Sequence, residues 1–174
     1  MYGSKQTRLG LVTDRQSAGM PDGLRKDSRT KNMYDPGIYF ISLTKSAFDL
    51  PSGSIIYIGK GDDVEKRLNQ ELGKRAGAAT FFRSIGVMLG KKVIPGSGKN
   101  FKFYQYQEIA EWLEYHTEYN IIRCNWREQE KVLIEEHKPP FNYIYNAENY
   151  YPGLLDLRRQ AKSISMNRID ADLT

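Results

Sequence analysis

The chain has 174 residues, enough for one domain with a tail, and its 40% hydrophobic and 12% aromatic content can supply a core without help from other chains. No run approaches the roughly 18 apolar residues of a membrane span, and the first residues lack the basic-then-apolar layout of a secretion signal. The single cysteine, Cys124, excludes an internal disulfide and a zinc cluster. An intracellular protein with no membrane partner is expected. The net charge of +5 is unevenly spread: residues 1–36 carry seven Lys/Arg against four acids, residues 60–102 ten against four, and residues 103–150 four against nine. A basic segment beginning at Lys60 would draw a polyanion to its face of the molecule.

In chain order, residues 1–36 have few periodic apolar positions and read as an irregular basic arm, with Pro21-Asp22-Gly23 as a turn signal. Gly37 to Leu43 and Ser54 to Gly59 are rich in β-branched and aromatic residues, which predicts two strands with Pro51-Ser52-Gly53 in the loop between them. Asp62 or Asp63 caps a helix whose apolar face is Val64, Leu68 and Leu72. Thr80 to Leu89 forms a second helix ended by Gly90. Phe101-Lys102-Phe103 fits a short strand or an extended connection equally well. Ile109, Trp112, Leu113 and His116 mark a third helix, Tyr119 to Cys124 a third strand, and the run from Glu130 a helix stopped by Pro139-Pro140. Pro152 is expected in the first turn of a last helix containing Leu154, Leu155, Arg158 and Ala161. Cys124, in an apolar run, reads as a packed thiol. His116 and His137 are too few and too badly spaced for a protein zinc site.

Several of these residues suit phosphodiester hydrolysis, which needs a water, a proton acceptor, positive charge on the phosphate and help for the departing oxygen. Tyr39 and Tyr57 would lie on adjacent strands and converge on one side. A free phenol titrates near 10, so either one needs a nearby cation or metal to act as a base at neutral pH. Arg67 and Lys60 offer positive charge for a phosphate. Glu130 offers one carboxylate, which fits one divalent ion that keeps most of its waters. Taken singly, each tyrosine reads as an ordinary strand aromatic, Arg67 and Glu130 as solvated helix residues, and Asn142 as a turn former.

The order Gly37-Ile38-Tyr39, Tyr57-Ile58-Gly59, Arg67, Glu130 and Asn142 resembles the GIY-YIG nucleases, over about residues 37–142. The resemblance implies a small α/β domain with a three-stranded antiparallel sheet flanked by helices. With the readings of the two ends, the chain divides into a basic arm (1–36), a catalytic domain (37–146) and a C-terminal helix and tail (147–174). It implies an active site of Tyr39, Tyr57, Arg67, Glu130 and Asn142, with Lys60 beside it. Glu130 would bind one Mg2+ or Mn2+, Arg67 would contact the scissile phosphate and Asn142 would steady the site. Tyr39 is the favoured general base, with Tyr57 positioning. The seventeen residues from Phe40 to Ile56 exceed the usual spacing, which requires a longer hairpin loop.

The implied activity is metal-dependent cleavage of double-stranded DNA by a stand-alone enzyme of the restriction, phage or mobile-element kind. The alternatives are a catalytically silent nucleic-acid-binding module on the same scaffold and a nuclease acting on RNA. Oligomeric state is left open. One departure stands out: four residues after Arg67, where relatives carry His or Tyr, this chain has Glu71. An ion pair with Arg67 across one helical turn, or a surface position, is favoured there over a catalytic role.

Overall fold

The computed structural model describes residues 35–75, 79–125 and 129–167. Nearly all of the basic arm and the last seven residues lie outside them. Three strands form one antiparallel sheet in the order β2-β1-β3: β1 (Gly37–Leu43), β2 (Ile55–Gly61) and β3 (Thr117–Arg123). The helices are α1 (Val64–Glu71), α2 (Thr80–Met88), α3 (Tyr106–His116), α4 (Gln129–His137) and α5 (Leu154–Met166). This is the expected α/β architecture.

The two tyrosine-bearing strands pair as a hairpin, with Tyr39 opposite Gly59 and Ile41 opposite Tyr57, so both phenols leave the same face. That face packs on α1, α2, α3 and α5 in the main core, which includes Tyr39, Ile41, Leu68, Phe81, Ile109, Leu113 and Leu154. The other face carries Ile38 and Ile58 against Ile134 of α4 in a smaller cluster. Strand β1 is buried on both sides because it is central; β2 is an edge strand and presents a row of main-chain groups.

The long hairpin loop is packed against the body. Ala47 and Leu50 bridge, with Phe48 and Asp49 in the left-handed region between them. The Phe48 ring contacts Trp112, Phe141 and Tyr151, so the extra residues are anchored by aromatic burial.

The structure differs from expectation in two local details and decides between the two alternatives left open at a third. β3 begins at Thr117, directly at the end of α3 with no intervening loop, and finishes at Arg123. Pro152 precedes the last helix, because Gly153 is its N-cap at φ 75 and resets the chain direction there. Phe101 and Phe103 are buried in an extended connection whose ladder contact is one isolated bridge, Val93 with Phe103.

Candidate active site at the edge of β2

The site is built where β2 meets helices on both faces of the sheet. On the main-core face, the Tyr39 ring lies across β2 at Gly59: a Cβ there would sit 2.2 Å from the Tyr39 oxygen and 2.3 Å from Cζ. Glycine is therefore the residue that lets the first phenol cross the neighbouring strand. A similar constraint holds at Gly37, where a Cβ would come within 2.7 Å of the Ile122 carbonyl oxygen. Tyr39 and Tyr57 have ring centroids 6.2 Å apart, and Tyr57 stacks on Phe81 of α2 at 4.9 Å.

Helix α1 supplies the charged pair behind the phenols. Asp63 caps it, its side chain accepting from the Lys66 amide at 2.9 Å. Val64, Leu68 and Glu71 turn inward, and Arg67 pairs with Glu71 at 2.5 Å across one helical turn. Glu71 is completely buried, and its second oxygen accepts from the Phe81 amide at 2.8 Å at the start of α2. The expected ion pair is present, but the position is interior. Its carboxylate satisfies both a guanidinium and a helix N-terminus.

On the opposite face, Ile134 of α4 packs on Ile38 and Ile58. Glu130, one turn earlier on the same helix, is thereby aimed at β2, where it meets the Lys60 ammonium at 2.6 Å. Its side chain is 15% exposed and that of Lys60 is 36% exposed.

Asn142 lies along the open edge of β2. Its side-chain amide donates to the Ile58 carbonyl at 2.8 Å, and its oxygen accepts from the Ile58 amide at 2.8 Å. The Phe141 amide also donates to the Ile56 carbonyl. The segment after the double proline thus substitutes for a fourth strand, satisfying edge groups that burial would otherwise leave unpaired.

A cleft of about 260 Å³ joins these parts, lined by Tyr57, Lys60, Thr80, Glu130, Asn142 and Arg158 among others. Its outer rim is Tyr143, Ile144 and Tyr145, which are 49%, 68% and 49% exposed. The structure therefore brings Tyr57, Lys60, Glu130 and Asn142 to one opening. Tyr39 and Arg67 are not among the residues lining it; the Tyr39 ring neighbours that of Tyr57, and the Arg67 charge acts on the Tyr57 phenol.

Burial dominates the electrostatics. It pushes the Tyr39 phenol well above its ordinary value, with Tyr57 and Glu71 adding to the rise and Arg67 opposing it. Burial does the same to Tyr57, reinforced by Glu71 and opposed by Arg67; Glu130 adds to the rise and Arg158 opposes it. Both phenols are therefore protonated at neutral pH in this arrangement. Burial disfavours the Arg67 charge, but Glu71, Tyr39 and Tyr57 outweigh it and hold the guanidinium above its usual range. The Tyr39 hydroxyl is buried and makes no hydrogen bond of standard geometry, and Arg67 is the cation that favours its phenolate.

Among the described residues, no cluster of three or more His, Cys, Asp or Glu is placed to hold a metal. Glu130 is the single carboxylate among the residues lining the cleft. That donor set fits magnesium or manganese, which take one or two carboxylates and complete their shell with water and substrate oxygens.

Sequence reasoning did not place Arg158, Tyr150 or the burial of Glu71 at this site. A signal was present for two of them. Glu71 falls seven residues after Val64 on the stripe that also holds Leu68 and Leu72, and Arg158 falls between Leu154 and Ala161 on the buried stripe of α5.

A three-stranded sheet whose edge strand brings Tyr57 and Lys60 to one cleft with Glu130, and sets Tyr39 behind Tyr57, defines an α/β domain suited to phosphodiester chemistry. Residues 36–160 match the family model described as the GIY-YIG catalytic domain, so the chain belongs to the GIY-YIG nuclease family. Comparisons with curated proteins and with solved structures returned no match. The family implies a nucleic acid as substrate, and no described helix is long and apolar enough to cross a membrane.

Proposed function

We propose that this chain is a metal-dependent endonuclease that hydrolyses DNA phosphodiester bonds in the cleft at the β2 edge. The observation that carries the reading is the meeting of Tyr57, Lys60 and Glu130 in one opening, with Tyr39 and Arg67 directly behind Tyr57. Double-stranded DNA is the proposed substrate, in a restriction, phage or mobile-element role.

In this reading Glu130 holds one Mg2+ or Mn2+, and Lys60, its present partner, turns its ammonium to the phosphate. The ion would polarise the phosphate and place positive charge on the side of Tyr57 that Glu130 now makes negative. Tyr57, the phenol that lines the cleft, orients the attacking water, and Tyr39 in its phenolate form takes one proton from it. A raised phenol pKa works against that step, so Arg67 is needed to favour the phenolate of Tyr39. Arg67 also supplies charge toward the phosphate. Asn142 keeps Ile58, between the second tyrosine and Gly59, in fixed register.

The test is supercoiled plasmid incubated with purified protein in Mg2+ or in EDTA. Nicking that requires the metal and vanishes in Glu130→Ala supports the reading; binding without metal-dependent nicking overturns it. One observation favours a second reading, a nucleic-acid-binding module that no longer cuts: Glu71 engages Arg67 where relatives carry a neutral His or Tyr. The same plasmid assay separates the two, and competition between DNA and RNA decides the sugar.

A further inference from the structure

Three cationic side chains act around Tyr57, and two of them face carboxylates. Arg67 pairs with Glu71, and Lys60 pairs with Glu130. The third, Arg158, lines the cleft and has no carboxylate partner among the described residues.

Its position is built into the fold. Helix α5 buries Leu154, Ala161 and Ser165 against the body, and Arg158 lies on that stripe, facing α2. One guanidinium nitrogen, Nη1, donates to Ser84 Oγ at 2.7 Å and to the Thr80 carbonyl at 3.3 Å. Ser84 Oγ in turn donates to the Thr80 carbonyl at 3.0 Å. Tyr150 stands beside this group, in reach of both Arg158 and Ser84, and its ring packs edge-on against Tyr143 on the cleft rim. Every hydrogen-bond partner of Arg158 in this set is neutral, so its charge is oriented without being neutralised.

A second arginine sharpens the imbalance. Arg83, on α2, lies over the Phe101 ring at 5.7 Å and likewise has no carboxylate partner among the described residues. Burial disfavours the Arg83 charge and Arg158 adds to that effect, while Glu71 opposes it. A guanidinium whose hydrogen-bond partners are all neutral keeps its charge available to an anion bound in the cleft. A planar, permanently charged fork held by one nitrogen is suited to a phosphodiester oxygen.

We propose that Arg158 is a phosphate-binding residue, taking a backbone phosphate of the nucleic-acid strand that lies in the cleft beside Tyr57, Lys60 and Glu130. The identity of the ligand rests on the nuclease reading; the site itself rests on the placement of Arg158.

The test is fluorescence anisotropy of the full chain in EDTA with a short labelled DNA duplex, at several salt concentrations. Arg158→Gln should weaken binding about tenfold and reduce the slope of log affinity against log salt by roughly 0.7–0.9, the loss of one phosphate contact. Arg159→Gln, at the neighbouring exposed residue paired with Asp156, should change affinity less than about twofold. Arg158→Lys keeps the charge and should restore the slope while recovering part of the affinity.

Duplexes with single neutral methylphosphonates should show one position that costs the native protein affinity and costs Arg158→Gln nothing. A purely structural tie between α5 and α2 would lower the melting temperature yet leave the salt slope and the methylphosphonate pattern unchanged. That result, or no measurable binding of DNA, overturns the proposal. If Arg158→Gln does not fold, Arg158→Met takes its place as the neutral variant: a methylphosphonate scan with no position that costs the native chain affinity and spares Arg158→Met sinks it. Cleavage in Mg2+ is scored separately. Arg158-dependent binding without cutting removes the nuclease reading and leaves this site, whereas cutting with Arg158-independent binding removes this site alone.

Discussion

The Tyr39 ring passes directly over Gly59, so closely that a methyl group at position 59 would sit 2.2 Å from the phenolic oxygen. The contact fixes one phenol relative to the other, because Tyr57 is two residues before Gly59 on the same strand. Gly59→Ala is expected to cost about 1–3 kcal/mol by overpacking a completely buried ring and to abolish cutting by moving Tyr39. Urea denaturation and plasmid nicking measure the two effects; a variant of native stability and activity would mean that the ring has room to shift.

Asn142 spends both ends of its amide on the Ile58 main chain. Asn142→Ala leaves a buried donor and a buried acceptor without partners and is expected to destabilise the fold by about 2–4 kcal/mol. Asn142→Asp should not rescue it, since a carboxylate cannot donate to the Ile58 carbonyl. Denaturation midpoints of the two variants check this, and a loss of activity at full stability would instead assign Asn142 a direct role with substrate.

Glu130 is part-exposed and paired with a half-exposed lysine, so the pair adds little to stability. Glu130→Gln is expected to shift stability by less than about 1 kcal/mol while eliminating metal-dependent cleavage. Circular dichroism melts beside a Mg2+ or Mn2+ titration of activity test it. Cutting at the native rate would remove Glu130 from the site.

Glu71 ties charge to pH. Burial raises its carboxyl above the ordinary 4.5, against the pull of Arg67 and of the first amides of α2. A carboxyl whose folded pKa exceeds its unfolded one holds its proton more tightly in the folded state. Its stabilising contribution is therefore complete below the unfolded value and is lost as pH rises through the folded one. Glu71→Gln does not titrate, so its melting temperature relative to the native protein should improve as pH rises from the ordinary carboxyl range toward neutrality. A native advantage that grows with pH would show that the charged pair with Arg67 outweighs burial.

The same substitution removes a negative charge that raises both phenols. If a phenolate takes the proton from water, the alkaline rise of the cleavage rate in Glu71→Gln should move to lower pH. Tyr39→Phe and Tyr57→Phe then identify the base: the variant that loses the alkaline rise lacks it, and the other should retain the rise at reduced rate.

Much of the hairpin and helix pattern was legible in the chain because it follows from local periodicity. Strand β1 occupies the residues its β-branched and aromatic run marked, and Asp63 caps α1 as one of the two candidate residues. The spacing of Tyr39, Tyr57, Arg67, Glu130 and Asn142 also identified the family. These are properties of sequence order, written in residue types and intervals.

The tertiary structure decided what each polar group faces, since partners far apart in the chain set burial and charge together. Periodicity placed Glu71 one turn from Arg67, but only the docking of α2 on α1 made it an interior carboxylate holding a helix N-terminus. Turn chemistry marked Asn142, while its role as a substitute strand depends on β2 being an edge. Arg158 read as one residue of a terminal helix, and the packing of α5 on α2 carries its charge to a cleft whose other cation, Lys60, already faces Glu130. Local pattern specifies elements because backbone geometry repeats every few residues. The electrostatics of a site belong to the assembled fold, because Coulomb interactions and desolvation depend on distance in space.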